Sequence, residues 1–167
     1  LVQRTPVNRV PVAATVARHE PDYFMKGFSV RTFAEAGRLK SEVFGAAARH
    51  YPDTDTVEID TVRIRAFDDQ GHLTTATANR ALTNHDGSEV QLFGKAVIVR
   101  EATPRIEFRG EFLHAFLNTD RVVSNRPVEL RRGSDVFRAE SMDYDNQRQT
   151  MVMQGRVKGT LVPAAGK

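Results

Sequence analysis

From Tyr23 onward, apolar and polar residues alternate in short runs. A period of two is the mark of strands that bury one face. In the first run Phe24, Phe28, Val30 and Thr32 fall on one side, with Arg31 and Phe33 on the other. Ala34-Glu35-Ala36-Gly37 then reads as a turn, with Gly37 free to take a positive φ. Leu39 to Ala48 returns with mixed alternation. Asp53-Thr54-Asp55 and Asp68-Asp69-Gln70-Gly71 are turn clusters. Between them, Val57, Ile59, Val62, Ile64 and Phe67 predict a pair of strands. Asn84-His85-Asp86-Gly87 marks a further hairpin, flanked by Leu82 and by Val90 to Leu92.

Short β-prone runs continue to the end of the chain. They are Val97-Ile98-Val99, Ile106 to Phe108, Val122-Val123, Val128 to Leu130, Val136-Phe137 and Met151 to Met153. Only Gly110 to Leu117 has a helix-like spacing, through Phe112, Leu113, Phe116 and Leu117. It is short, and we read it as a strand or an irregular turn. Many short strands without a long amphipathic helix predict an all-β fold. A weak repeat runs through them: Tyr51 leads to Val62, Leu82 to Val97, Leu117 to Val128 and Tyr144 to Val157. A period of roughly 30 residues points to one supersecondary unit stacked repeatedly. Bodies of that kind end in unpaired strand edges.

The segment 1–22 breaks the pattern. Pro6, Pro11 and Pro21 stand among small and polar residues, which predicts an extended tether. One domain is expected over 23–162, and a short unstructured tail over 163–167. A chain of 167 residues suits one such domain.

Composition narrows the function more than the fold. Lys plus Arg number 24 and Asp plus Glu 21, interspersed, for a net charge of +3. A nucleic-acid binder would gather its cations in one stretch or face, so no nucleic-acid partner is expected. The chain has no Cys, which excludes disulfides, thiolate metal sites and a Cys nucleophile. His19, His50, His72, His85 and His114 show no metal-ligand spacing. Asp53/Asp55 and Asp143/Asp145 fall in predicted turns, where Asp bonds its own backbone. Asp143-Tyr144-Asp145-Asn146 lacks the Gly and distal Glu of a calcium loop. No nucleophile elbow or phosphate loop occurs. No catalytic residue, cofactor or metal is therefore assigned, and the expectation is a protein that is not an enzyme.

The ordered set of motifs resembles a known family. Pro21-Asp22-Tyr23-Phe24 enters the first strand, Glu35 to Leu39 turns, and Ala46 to Ala48 leads into His50-Tyr51-Pro52-Asp53. Val57 to Ile64, Ala78 to Leu82 and Leu92-Phe93-Gly94-Lys95-Ala96-Val97 follow in order. Phe137 to Tyr144, then Gly155-Arg156-Val157, is similar to an OstA-type repeat. From about residue 21 to 160 the chain resembles the LptC family. The resemblance implies a β-jellyroll or β-taco: two facing antiparallel sheets, open along one side. It implies a periplasmic domain anchored to the inner membrane by an N-terminal helix, which this chain does not contain. Leu1 in place of Met fits a processed or trimmed start.

The same resemblance implies a lipopolysaccharide ligand, an LptBFG transporter at the N-terminal edge and LptA at the C-terminal edge. Phe28 and Ile59 match groove positions of the family, and Gly37 and Gly133 match glycines tied to bridge assembly. The apolar strand faces supply the wider set of candidate groove residues: Phe24, Phe28, Val30, Ile59, Val62, Ile64, Leu92, Val97, Phe108 and Val128. Periodicity alone allows these to be an ordinary sandwich core. Burying an acyl chain of ten methylenes would yield about 8 kcal/mol gross, enough to hold a lipid without a charged anchor. Arg121, Arg126, Arg131, Arg132 and Arg138 could receive phosphorylated headgroups or lie on a solvated face. The competing reading is a self-contained β-sandwich that binds carbohydrate or a protein. Dimerisation through bare edges is a further expectation.

Overall fold

The computed structural model describes residues 18–163, which form twelve strands and no helix. Six long strands come first: β1 Tyr23–Phe33, β2 Leu39–Tyr51, β3 Thr56–Phe67, β4 Leu73–Thr83, β5 Glu89–Arg100 and β6 Ile106–Phe116. Six short ones follow: β7 Arg121–Ser124, β8 Val128–Arg132, β9 Asp135–Ala139, β10 Ser141–Asp145, β11 Thr150–Gln154 and β12 Lys158–Thr160. The all-β expectation holds, and every pairing is antiparallel. Residues 1–17 of the expected tether and 164–167 of the expected tail lie outside the described residues.

Each long strand is bent once, and its two halves belong to two facing layers. A regular strand shows one face at every second residue. In β3 the buried residues are Ile59, Val62 and Ile64, so the phase resets once between 59 and 62. The reset falls at Thr61, whose φ is +51°. Gly27 in β1 and Gly94-Lys95 in β5 mark the same bend, also with positive φ. Past β6 the bend becomes a real break. β7 passes to β8 through residues 125–127, β9 to β10 through Glu140, and β11 to β12 through residues 155–157.

The bends line up as a crease. On one side, sheet I runs β1-β2-β3-β4-β5-β6-β7-β10-β11. On the other, sheet II continues from β6 to β8, β9 and β12. The roughly 30-residue repeat is thus one excursion from sheet I to sheet II and back. The predicted strand pair over Val57 to Phe67 is one creased strand instead, and Gly110 to Leu117 is the creased end of β6.

Along the crease the layers converge, and several positions must be small. Gly45 shows why: a Cβ there would lie 2.6 Å from Ile59 Cγ2 and closer still to the Phe28 ring. Ala78 and Ala96 continue that row, both buried. The sheet does not close on itself. Among the described residues, β1 at one end and β11 with β12 at the other each have a free edge.

Candidate binding cleft

Residues paired across adjacent strands point to the same face. In sheet I that register joins Met25, Ala48, Ile59, Ala81, Leu92 and Leu113 in one inner row. In sheet II it joins Val43, Ile64, Ala76, Ile98, Phe108 and Leu130, with Val30 before them and Phe137 after. The two rows face each other as a single apolar cluster. Phe108 of sheet II meets Tyr144 of sheet I edge-on, ring centres 5.1 Å apart.

Eight of the ten sequence-predicted groove residues lie on this inner face. Ile59, Val62, Ile64, Leu92, Phe108 and Val128 are buried, and Phe28 is half-buried against them. Val30 shares the face but is 46% exposed, because among the described residues β1 has no neighbour beyond it. Two residues are corrected. Phe24 pairs with Arg49 on the outer face and is 66% exposed. The Gly27 bend shifts its phase relative to Phe28. Val97 pairs with Thr77 and Arg109, both exposed, so it also points outward. The inner phase of β5 runs unbroken through Val90, Leu92, Ala96 and Ile98, and Val97 falls between its members.

Through β3 to β6 the walls meet rather than gape. Ile59 is 3% exposed, Leu92 1% and Leu113 fully covered. The side away from the crease is a seam between two rims of turns. A cavity of about 600 Å³ opens there toward the C-terminal half. Ile106, Leu130, Tyr144 and Met151 give it an apolar floor, and Arg100, Arg132 and Asp120 line its mouth. Burial raises the Tyr144 phenol above its ordinary pKa. Burial penalises the Arg100 cation, yet the hydrogen bond and charge of Asp120 outweigh that and raise its pKa.

The outer faces are ladders of ion pairs. Arg49 donates to Glu58 and Asp60 at 2.7 Å, and Arg80 shares Glu58 at 2.8 Å. Asp60 and Glu58 hold the Arg49 pKa above its ordinary value. Glu107, although 5% exposed, accepts from Arg109 at 2.7 Å. Arg131 and Arg138 both bond Glu129, and Arg121 bonds Asp143, so these three cations serve the outer face. Asp143 lies in strand β10 rather than the predicted turn. Of the five arginines singled out in the sequence, Arg132 lines the cavity. Gly37 (φ +81°) and Gly133 (φ +60°) occupy hairpin turns of sheet II, where the left-handed backbone suits glycine. Among the described residues no group of His, Asp or Glu could hold a metal ion, and no helix is long and apolar enough to cross a membrane.

Sequence reasoning missed Arg100, Asp120 and Tyr144, which shape the seam. Arg100 closes the apolar run Val97 to Val99, and its charge hid an inner-face position that the alternation through Leu92, Ala96 and Ile98 already gives it.

A creased antiparallel sheet with two free edges and an apolar inner face defines an open β-jellyroll. The crystal structure of LptH, the LptA-homologous periplasmic component of the lipopolysaccharide transport device from Pseudomonas aeruginosa, has the same fold. The TM-score is 0.63 at 18% identity, covering 74% of this chain and 95% of that one. No curated protein sequence matches the chain significantly. The family model for lipopolysaccharide-assembly, LptC-related proteins matches residues 3–162. The chain belongs to the LptC family.

Proposed function

We propose that the chain is a non-enzymatic link in a lipopolysaccharide transport bridge. It receives the lipid from the inner-membrane LptBFG transporter at the β1 edge. It shelters the acyl chains between its two sheets and passes them to LptA at the β11–β12 edge. In this reading the domain stands in the periplasm on a membrane helix that precedes the chain.

The observation that carries this reading is the distribution of apolar surface. The inner face is apolar from β1 to β11, and among the described residues every exposed large hydrophobic residue except Leu117 lies on or beside the terminal strands. Tyr23, Phe24, Val30 and Phe33 stand on β1, with Met151, Val152, Val157, Leu161 and Val162 at the other end. Free edges with apolar side chains normally invite aggregation, and joining a partner strand to them turns that liability to use. A self-contained sandwich would instead blunt both ends and seal its flank. The same edges would support a homodimer of the isolated domain.

Site-specific photo-crosslinking in cells tests the reading. A photo-reactive residue at inward Ile59 is expected to capture lipopolysaccharide, and one at the outward neighbour Glu58 is not. Capture at Glu58 without capture at Ile59 would contradict it.

A further inference from the structure

We propose that the Arg100–Asp120 ion pair is a latch across the seam that must release before an acyl lipid enters the cleft from the side. The inference rests on the lipid-cleft reading above. Arg100 ends β5 in sheet II, opposite Thr74 and Ile106, in the inner phase. Its Nη1 donates to Asp120 Oδ2 at 2.8 Å, and its Nη2 lies 3.4 Å from Asp68 Oδ2. Asp68 sits in the β3–β4 turn, on the rim of the same sheet as Arg100. Asp120 sits in the β6–β7 turn, on the rim of sheet I. Among the described residues this is the one ion pair that joins the two rims.

Asp120 is itself braced. Asn146 donates to it through Nδ2 at 2.6 Å and through its backbone N–H to the Asp120 carbonyl at 3.0 Å. Tyr144 O–H donates to Asn146 Oδ1 at 3.0 Å, and the Tyr144 ring rests on Phe108 of the opposite sheet. An acyl chain entering sideways has to part Tyr144 from Phe108. The rims cannot separate there while Arg100 holds Asp120. Stripping a half-buried guanidinium of its partner is costly. Arg100 avoids that cost, because Asp68 stays beside it when the sheets separate. Release therefore gives up one of two carboxylates and leaves the guanidinium with the other, so the seam can open without stranding a bare charge.

Stopped-flow uptake of a fluorescently labelled lipopolysaccharide by the purified chain reads the latch. Asp120→Asn removes the charge and keeps the size. It is expected to speed association roughly threefold or more, since the competent open state becomes more populated. The chain has no native Cys, so an R100C/D120C variant can be tied with a short bis-maleimide. The tied form is expected to take up lipid at least about tenfold more slowly than the same variant capped with a monofunctional maleimide. That comparison is internal and does not depend on the stability of Asp120→Asn. Equal uptake by tied and capped protein would overturn the latch while leaving the cleft reading intact. Wild-type protein that takes up no lipid would overturn both.

Discussion

His50 lies between two carboxylates, with Nδ1 2.7 Å from Asp22 and Nε2 2.8 Å from Asp55. A neutral imidazole carries one N–H and cannot donate to both, so this geometry requires the imidazolium. Asp55 and then Asp22 raise its pKa. A pKa raised on folding adds stability that is complete below the unfolded value of about 6.5 and is lost as pH rises through the folded value. Stability to urea of the wild type is therefore expected to fall as pH rises above about 6.5, and His50→Gln should flatten that slope. An unchanged slope in the variant would remove His50 as its cause. At Gly45 the expectation is steric. Gly45→Val places a side chain against Ile59 and Phe28 and should cost about 1–3 kcal/mol in chemical denaturation. Most inner-face residues were legible because alternation holds within each half-strand. Phe24 was not, since it lies just across the Gly27 bend from Phe28; Val97 was not, since the continuous apolar run Val97-Ile98-Val99 conceals the alternation that Leu92 sets.

At the scale of the element, the bend is the unit that organises the fold. Residues Val57 to Phe67 show how a single strand imitates two: the inner phase runs through Ile59, skips at Thr61 and resumes at Val62. A period-of-two reading sees the interruption and infers a turn. No Gly or Pro announces it, and the left-handed conformation is taken by a β-branched residue. That conformation costs an L-residue about 1–2 kcal/mol, whereas Gly in a strand loses about 0.5–1 kcal/mol of entropy. Thr61→Gly is accordingly expected to stabilise the domain by up to about 1 kcal/mol in thermal or denaturant melts. A clear loss of stability would mean that the Thr61 side chain supports the crease in some other way. The weak repeat in the sequence tracks the crease: of its four Val residues, Val62, Val97 and Val128 come just after a bend or break, and Val157 closes the break between β11 and β12.

At the scale of the molecule, one creased sheet makes a cleft whose walls touch in the middle and whose ends and seam stay accessible. Large side chains such as Leu92, Leu113 and Leu130 are buried within one apolar cluster that both sheets share. A guest must therefore separate the layers rather than slide into vacant space. The energy is favourable in outline: new apolar contact with an acyl chain replaces contact between the walls, at about 0.8 kcal/mol per methylene sheltered from water. The all-β class and the family could be read from the chain, as could the existence of unpaired edges, though not which strands carry them. The closed middle could not, because alternation records which face is apolar and carries no information on how far apart two such faces stand.

The most direct measurement is the distance between the rims with and without lipid. Spin labels at Asp69, on the sheet II rim, and at Gln147, on the sheet I rim, would report it in an otherwise Cys-free protein. A distance distribution that shifts outward when lipopolysaccharide is added is the expected result. Stoichiometric lipid binding with an unchanged distance between the rims would contradict the account.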